Sequence, residues 1–168
     1  MKNTRVMVIL SLFIVFEVVL TQFLSYTGPT IRISFTFVAM AIAGYLYGWK
    51  FGALTALIAD LIGMWLYPKG PFFIGFTLAA TVAGALYGLL HQRKGKDLML
   101  WVVIVTILNV LINHVIINSL SLAYILNVPV ITLMAPRLIK ALIDIPLNII
   151  ITIPVITFVE RNLLRFKL

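Results

Sequence analysis

The stretch Ala135-Pro136-Arg137-Leu138-Ile139-Lys140-Ala141-Leu142-Ile143-Asp144-Ile145-Pro146-Leu147-Asn148 lies in an almost continuously apolar region, yet carries two cations, a carboxylate and an amide. On a helix the steps from Arg137 to Lys140, Asp144 and Asn148 are three, four and four residues. At about 100° per residue, all four fall on one face roughly 80° wide. Such groups are costly in lipid, so this face is expected to look into a bundle interior or a wet cavity. The pattern predicts a membrane helix with one polar side.

Composition points the same way. Hydrophobic residues make up 62% of the 168-residue chain and charged residues 11%, where a soluble domain has about a quarter charged. Water cannot be the main solvent, and the chain reads as an integral membrane protein with a single transmembrane domain over residues 1–168. The formal charge of +8 would suggest nucleic acid in a soluble protein. Here the basic residues flank apolar runs, where they set membrane orientation, so no nucleic acid is expected. Cysteine is absent, which excludes disulfide and thiol chemistry. The apolar run after Arg5 is longer than a signal peptide's core and reads as an uncleaved first helix.

A spanning helix needs about 17 to 25 residues. Six candidates fit, at about 5–26, 34–48, 51–67, 72–90, 97–121 and 136–160. Thr27-Gly28-Pro29 breaks the first, with a loop over Pro29-Thr30-Ile31-Arg32. Pro68-Lys69-Gly70-Pro71 is the strongest turn signal. Pro136 suits the first turn of the sixth helix, and Pro146 and Pro154 are expected to kink it. The expected fold is thus all-α, a six-transmembrane-helix bundle. Lys2, Arg5, Lys50, Arg93, Lys94, Lys96, Arg161, Arg165 and Lys167 would share the side of both termini. Only Arg32, Lys69, Arg137 and Lys140 would lie opposite. The positive-inside rule then places both termini in the cytoplasm. Gly52, Ala56, Ala59 and Gly63 share one helix face, and Ala80, Gly84 and Gly88 line another. Such faces let helices approach closely, within the bundle or against another membrane subunit.

The four non-cytoplasmic cations cluster near the outer surface, where they would attract an anion, and arginine suits a carboxylate through its paired donors. Lys69 could instead be solvated, and Lys140 could be neutralised by Asp144 at i+4. Trp65, Phe72 and Phe73 are placed to sandwich a flat heteroaromatic ring, although an interfacial aromatic belt explains such residues equally. Asp60 and Asp144 could accept a pair of donors from a ligand ring edge. Asn109, Asn113, His114 and Asn118 default to interhelical bonding. Glu17 needs a partner or a proton. No G-x-x-x-x-G-K-[ST], H-E-x-x-H or G-x-S-x-G motif is present, so neither enzyme activity nor a cofactor is expected.

The runs Ile31-Arg32-Ile33-Ser34-Phe35, Ala59-Asp60-Leu61-Ile62-Gly63 and Pro68-Lys69-Gly70-Pro71-Phe72-Phe73-Ile74-Gly75-Phe76-Thr77-Leu78 resemble the folate branch of the substrate-binding S components of energy-coupling factor transporters. Pro136-Arg137-Leu138-Ile139-Lys140 with Ile145-Pro146 is similar to that family's sixth helix. The resemblance covers about residues 5–160 and implies a vitamin-binding bundle of a prokaryotic cytoplasmic membrane. It further implies two kinds of partner, a shared membrane coupling protein (T component) and two ABC-type ATPases that do the hydrolysis. Folate would fit the cavity, with Arg32, Arg137 and Lys140 toward its carboxylates and Lys69 aiding capture. Trp65, Phe72 and Phe73 would stack on its rings, and Asp60 or Asn148 would meet the pterin edge. The loops 26–33 and 68–72 would close over the ligand. Riboflavin or another B vitamin is the nearest alternative. A small membrane enzyme acting on lipid through Asp60, Asp144 and His114 would need acidic clusters near the cytoplasmic face, and none is present.

Overall fold

The computed structural model describes residues 2–27, 32–68 and 73–166. Lys69 and Phe72, the 68–71 turn beyond Pro68 and most of the first loop lie outside these. The element order is α1 (Lys2–Gln22), β1 (Ser25–Thr27), β2 (Arg32–Ser34), α2 (Thr36–Tyr47), α3 (Trp49–Leu66), α4 (Ile74–Tyr87), α5 (Gly95–Asn109), α6 (Asn118–Leu126) and α7 (Val130–Phe166). A 3-10 turn, Gly88–Leu90, extends α4, and a π-helical segment, Val110–Ile117, joins α5 to α6 as one rod. Trp49–Leu66, Gly95–Leu126 and Val130–Asn162 are long and apolar enough to cross a membrane. Val6–Gln22, Thr36–Tyr47 and Ile74–Leu90 are shorter apolar helices.

The expected helix positions hold, with corrections at three places. The first helix stops at Gln22 rather than near residue 26, and an antiparallel hairpin follows, pairing Ser25 with Ser34 and Thr27 with Arg32. Hydroxyl groups drive this stop. Ser25 Oγ donates to the Thr21 carbonyl, and Thr21 and Thr36 share a hydrogen bond of 2.8 Å. These bonds compete with helix continuation and tie the hairpin to α1 and α2. The last helix begins at Val130, so Pro136 is internal rather than a first-turn residue. Asn127, at φ 52°, ends α6, and the Pro129 carbonyl accepts from Thr132 N at 3.1 Å to open α7. The fifth helix continues past residue 121 because the π segment carries it to Leu126.

The small-residue faces are used inside the bundle. A Cβ on Gly84 would stand 2.1 Å from the Gly52 carbonyl oxygen, so α3 and α4 meet backbone to backbone. Gly48, at φ 83°, makes the one-residue turn between α2 and α3. His91 Nδ1 lies 2.8 Å from the Tyr45 carbonyl and closes that end. The same end holds the α5 start, where Gly95 N donates to Glu160 of α7 at 3.0 Å. Lys50, Lys94, Lys96 and Arg161 are all exposed around it.

The main apolar core fills this basic half. Phe37, Met40 and Tyr45 of α2 pack with Tyr87, Leu90, Leu98, Val102, Val105 and Ile156. Beyond it the apolar filling thins to Val110, Val115 and Ala141, with Met134 and Ile145. Polar side chains are buried alongside: Thr77, Thr106, Asn109, Asn113, Ser119, Asn148 and Thr152. Buried polar groups need partners, so these side chains set the half away from the basic end apart from the apolar core.

Candidate functional site

The polar stripe of α7 faces inward. Asn148 is 6% exposed, while Ile139, Leu142, Ile143 and Ile150 on the opposite face are each more than 60% exposed. The stripe meets the π segment and the start of α6. Arg137 Nη1 donates to the His114 carbonyl at 3.2 Å and to the Ser119 hydroxyl at 3.4 Å. Lys140 Nζ lies 3.0 Å from Asp144 Oδ2, and His114 Nδ1 is 3.6 Å from the same oxygen. The i, i+4 pairing of Lys140 with Asp144 is therefore formed, with each side chain 13% exposed.

Arg137 differs from Lys140. Among the described residues no carboxylate pairs with it, and its two hydrogen-bond partners are neutral. An unpaired guanidinium in low-polarity surroundings attracts an anion strongly, because its desolvation is only partly offset by neutral dipoles. Its partners come from the π segment and the first turn of α6. A π turn inserts one residue and rotates every later side chain by about 100° relative to a continuous α-helix. That rotation is what sequence periodicity missed in Ser119, which is fully buried against the stripe.

Other expected site residues are carried by other elements. Asp60 is on α3, which packs on α1, α2 and α4, and its Oδ2 atom is shielded from solvent. Arg32 lies in β2, opposite Thr27. Phe73 precedes α4, and its ring centre is 5.4 Å from that of Tyr124 and 6.2 Å from that of Phe76. Trp65 is 84% exposed and is not brought to this aromatic group. Tyr67 pairs edge-on with Phe23 at 5.7 Å. The rings that gather around Phe73 among the described residues are thus Phe76 and Tyr124.

Two polar groups lie elsewhere. Glu17, wholly buried on α1, stands beside Thr55 of α3 and away from the stripe. Asn113 donates to Asn109 Oδ1, a bond along one helix. The Tyr87 hydroxyl lies by Thr106 and Asn109. Among the described residues no three His, Asp or Glu side chains group as metal ligands would.

Comparison with known proteins bears on the family and the fold. A family model described as ECF transporter, substrate-specific component, matches residues 5–156. The chain is 33% identical over 161 residues to the folate transporter FolT of Clostridium novyi, covering 96% of this chain and 93% of that one. It is 29% identical over 152 residues to FolT of Leuconostoc mesenteroides, covering 88% and 82%. Among solved structures, FolT bound with folic acid superposes with a TM-score of 0.81 at 31% identity, over 89% of this chain and 90% of that one. The S component of a bacterial ECF transporter shares the fold, with a TM-score of 0.69 over 98% of both chains at 23% identity.

Proposed function

The chain belongs to the substrate-specific components of ECF transporters, and from that membership we propose that it is the folate-binding subunit of such an importer. The observation that carries the folate assignment is the likeness to the folic-acid-bound FolT structure, which spans nearly the whole chain. The subunit captures folate at the outer membrane surface and leaves it chemically unchanged. A membrane coupling protein and two ABC-type ATPases supply the energy.

The α7 stripe gives this reading a binding chemistry. Folate brings a flat pterin and a dianionic glutamate tail. Arg137, paired only with neutral groups among the described residues, takes a carboxylate through its two-pronged donor face. Lys140 is already balanced by Asp144 and contributes less. Phe73, backed by Tyr124, offers the stacking surface, with Phe72 and Trp65 as neighbouring rings in sequence. Asn148 and Asp60 supply hydrogen bonds to the ring edge. Arg32 and Lys69 raise the local concentration of the anion at the mouth.

Six antiparallel spans, with both termini in the cytoplasm, complete the reading. The exposed cations at the Gly48 and His91 end support it, since positive charge gathers on the cytoplasmic side. The testing experiment is folate titration of the purified chain in detergent without ATP or partners. Tight binding is expected, and Arg137→Ala should weaken it roughly tenfold to a hundredfold. No folate binding, with binding of riboflavin instead, would overturn the assignment.

A further inference from the structure

A second site lies at the opposite, basic end of the bundle. An open groove of about 270 Å³ is lined by Trp49, Val82, Ala85, Leu86 and Leu89. Its shape comes from the helix junction. A Cβ on Gly88 would stand 2.1 Å from the Trp49 Cα, so the last turn of α4 presses on the first turn of α3. The Trp49 indole is left 55% exposed beside α4, and the short side chain of Ala85 leaves depth between larger neighbours. Every lining side chain is apolar. At ~30 Å³ per water molecule in the liquid, the volume suits a length of chain rather than a small ion.

A cation stands at the rim. Lys50 Nζ is 5.6 Å from the centre of the Trp49 ring, and among the described residues no carboxylate pairs with it. Lys94, Lys96 and Arg161 are exposed at the same end. An interfacial tryptophan with a lysine beside an apolar groove presents, in order of depth, what a phospholipid presents.

We propose that this groove binds an anionic phospholipid, one acyl chain lying along Ala85 and the phosphate held by the Lys50 ammonium. The charge at the rim sets this apart from the ordinary lipid annulus, which would fill the groove with any headgroup. A bound lipid braces the α3–α4 junction where the backbones already touch.

The test uses a chain with Trp49 as its only tryptophan (Trp65→Phe, Trp101→Phe) in phosphatidylcholine vesicles. Dibrominated phosphatidylglycerol or dibrominated phosphatidylcholine is added and Trp49 quenching is read. The acidic lipid should reach half-quenching at about fivefold lower mole fraction, the share expected of one nearby cation. Lys50→Gln, an exposed change that leaves the packing alone, should bring the two curves together. Ala85→Leu should reduce quenching by filling the groove, and if that chain fails to fold, Lys50→Gln still decides. Coincident curves in the parent, or a preference that survives Lys50→Gln, would overturn the proposal.

Discussion

Lys140 Nζ sits 3.0 Å from Asp144 Oδ2 within α7, while Arg137, one turn earlier, donates to the His114 carbonyl and the Ser119 hydroxyl. Two cations on one face are therefore in different electrostatic states. One is neutralised by its own helix, and the other is held in position by neutral acceptors, with no carboxylate beside it among the described residues. This division gives the stripe an internal brace and, in the proposed reading, a binding end.

The brace predicts non-additive stability. Breaking a fully buried ion pair costs about 3–5 kcal/mol, because the surviving charge is stranded. The cost is smaller here, since each side chain keeps 13% exposure. Lys140→Met and Asp144→Leu should each lower the thermal midpoint by several degrees. The double variant should lie closer to the parent than the two losses added together. Simple additivity in a detergent thermal melt would show that the pair is solvated and energetically idle.

The binding end predicts that geometry matters as well as charge. Arg137→Lys keeps the positive charge but loses the planar fork, and should recover only part of the affinity lost in Arg137→Ala. Ser119→Ala removes one of the two acceptors that fix the guanidinium. It should weaken folate binding a few-fold while leaving the melting temperature nearly unchanged. Full affinity in both Arg137→Lys and Ser119→Ala would reduce Arg137 to a diffuse field.

The aromatic group makes a similarly specific statement. Phe73 and Tyr124 pack against each other with ring centres 5.4 Å apart and planes tilted by 33°, and aromatic pairs contribute about 0.5–1.5 kcal/mol beyond their buried area. Phe73→Ala should cost folate affinity roughly tenfold by removing the stacking face. Tyr124→Ala should cost less, because its ring supports Phe73 from behind. Trp65→Ala, at an 84% exposed position, should cost least of the three. Titrations of the three variants give the ranking, and a Trp65 effect larger than that of Phe73 would reverse it.

Much of this was legible in the sequence for a local reason. The stripe from Arg137 to Asn148 is a property of one helix, and spacing alone put its residues on one face that the bundle then covered. The positions of the apolar rods were likewise local, set by run length and by turn signals such as Pro68. What escaped the sequence depends on contacts between helices. No residue type marks the π segment at Val110–Ile117, so the burial of Ser119 could not be counted off at 3.6 residues per turn. The early stop of α1 came from hydroxyls on separate elements, Thr21 and Thr36. Pro136 suggested a helix start, but a proline inside a membrane helix is tolerated when its neighbours satisfy the backbone. The outward aim of Trp65 follows from how α3 rotates to seat Gly52 and Gly63 on their partners, which its own sequence does not state.

Backbone contact between α3 and α4 predicts intolerance of one methyl group. A Cβ on Gly84 would meet the Gly52 carbonyl oxygen at 2.1 Å and the Ala56 Cβ at 2.8 Å. Gly84→Ala should therefore destabilise the bundle by about 1–3 kcal/mol through overpacking. At roughly 2–4 °C per kcal/mol for a chain of this size, the midpoint should fall by about 2–12 °C. Because α4 also presents Phe73 at its start, folate affinity should weaken in the same variant. An unchanged melt would mean that the two helices separate at little cost.

The helix arrangement makes a prediction about sidedness. Lys96 and Val128 flank the two ends of the Gly95–Leu126 rod, and both are exposed. Spanning in the proposed orientation puts Lys96 in the cytoplasm and Val128 outside. The chain has no cysteine, so Lys96→Cys and Val128→Cys each create a unique label site. A membrane-impermeant maleimide should label Val128→Cys in intact cells and Lys96→Cys only in inside-out vesicles. Labelling of both from one side would remove that span, while the reverse pattern would invert the bundle. Inversion would place Arg137 and the folate site on the cytoplasmic face, where a capturing subunit has nothing to import.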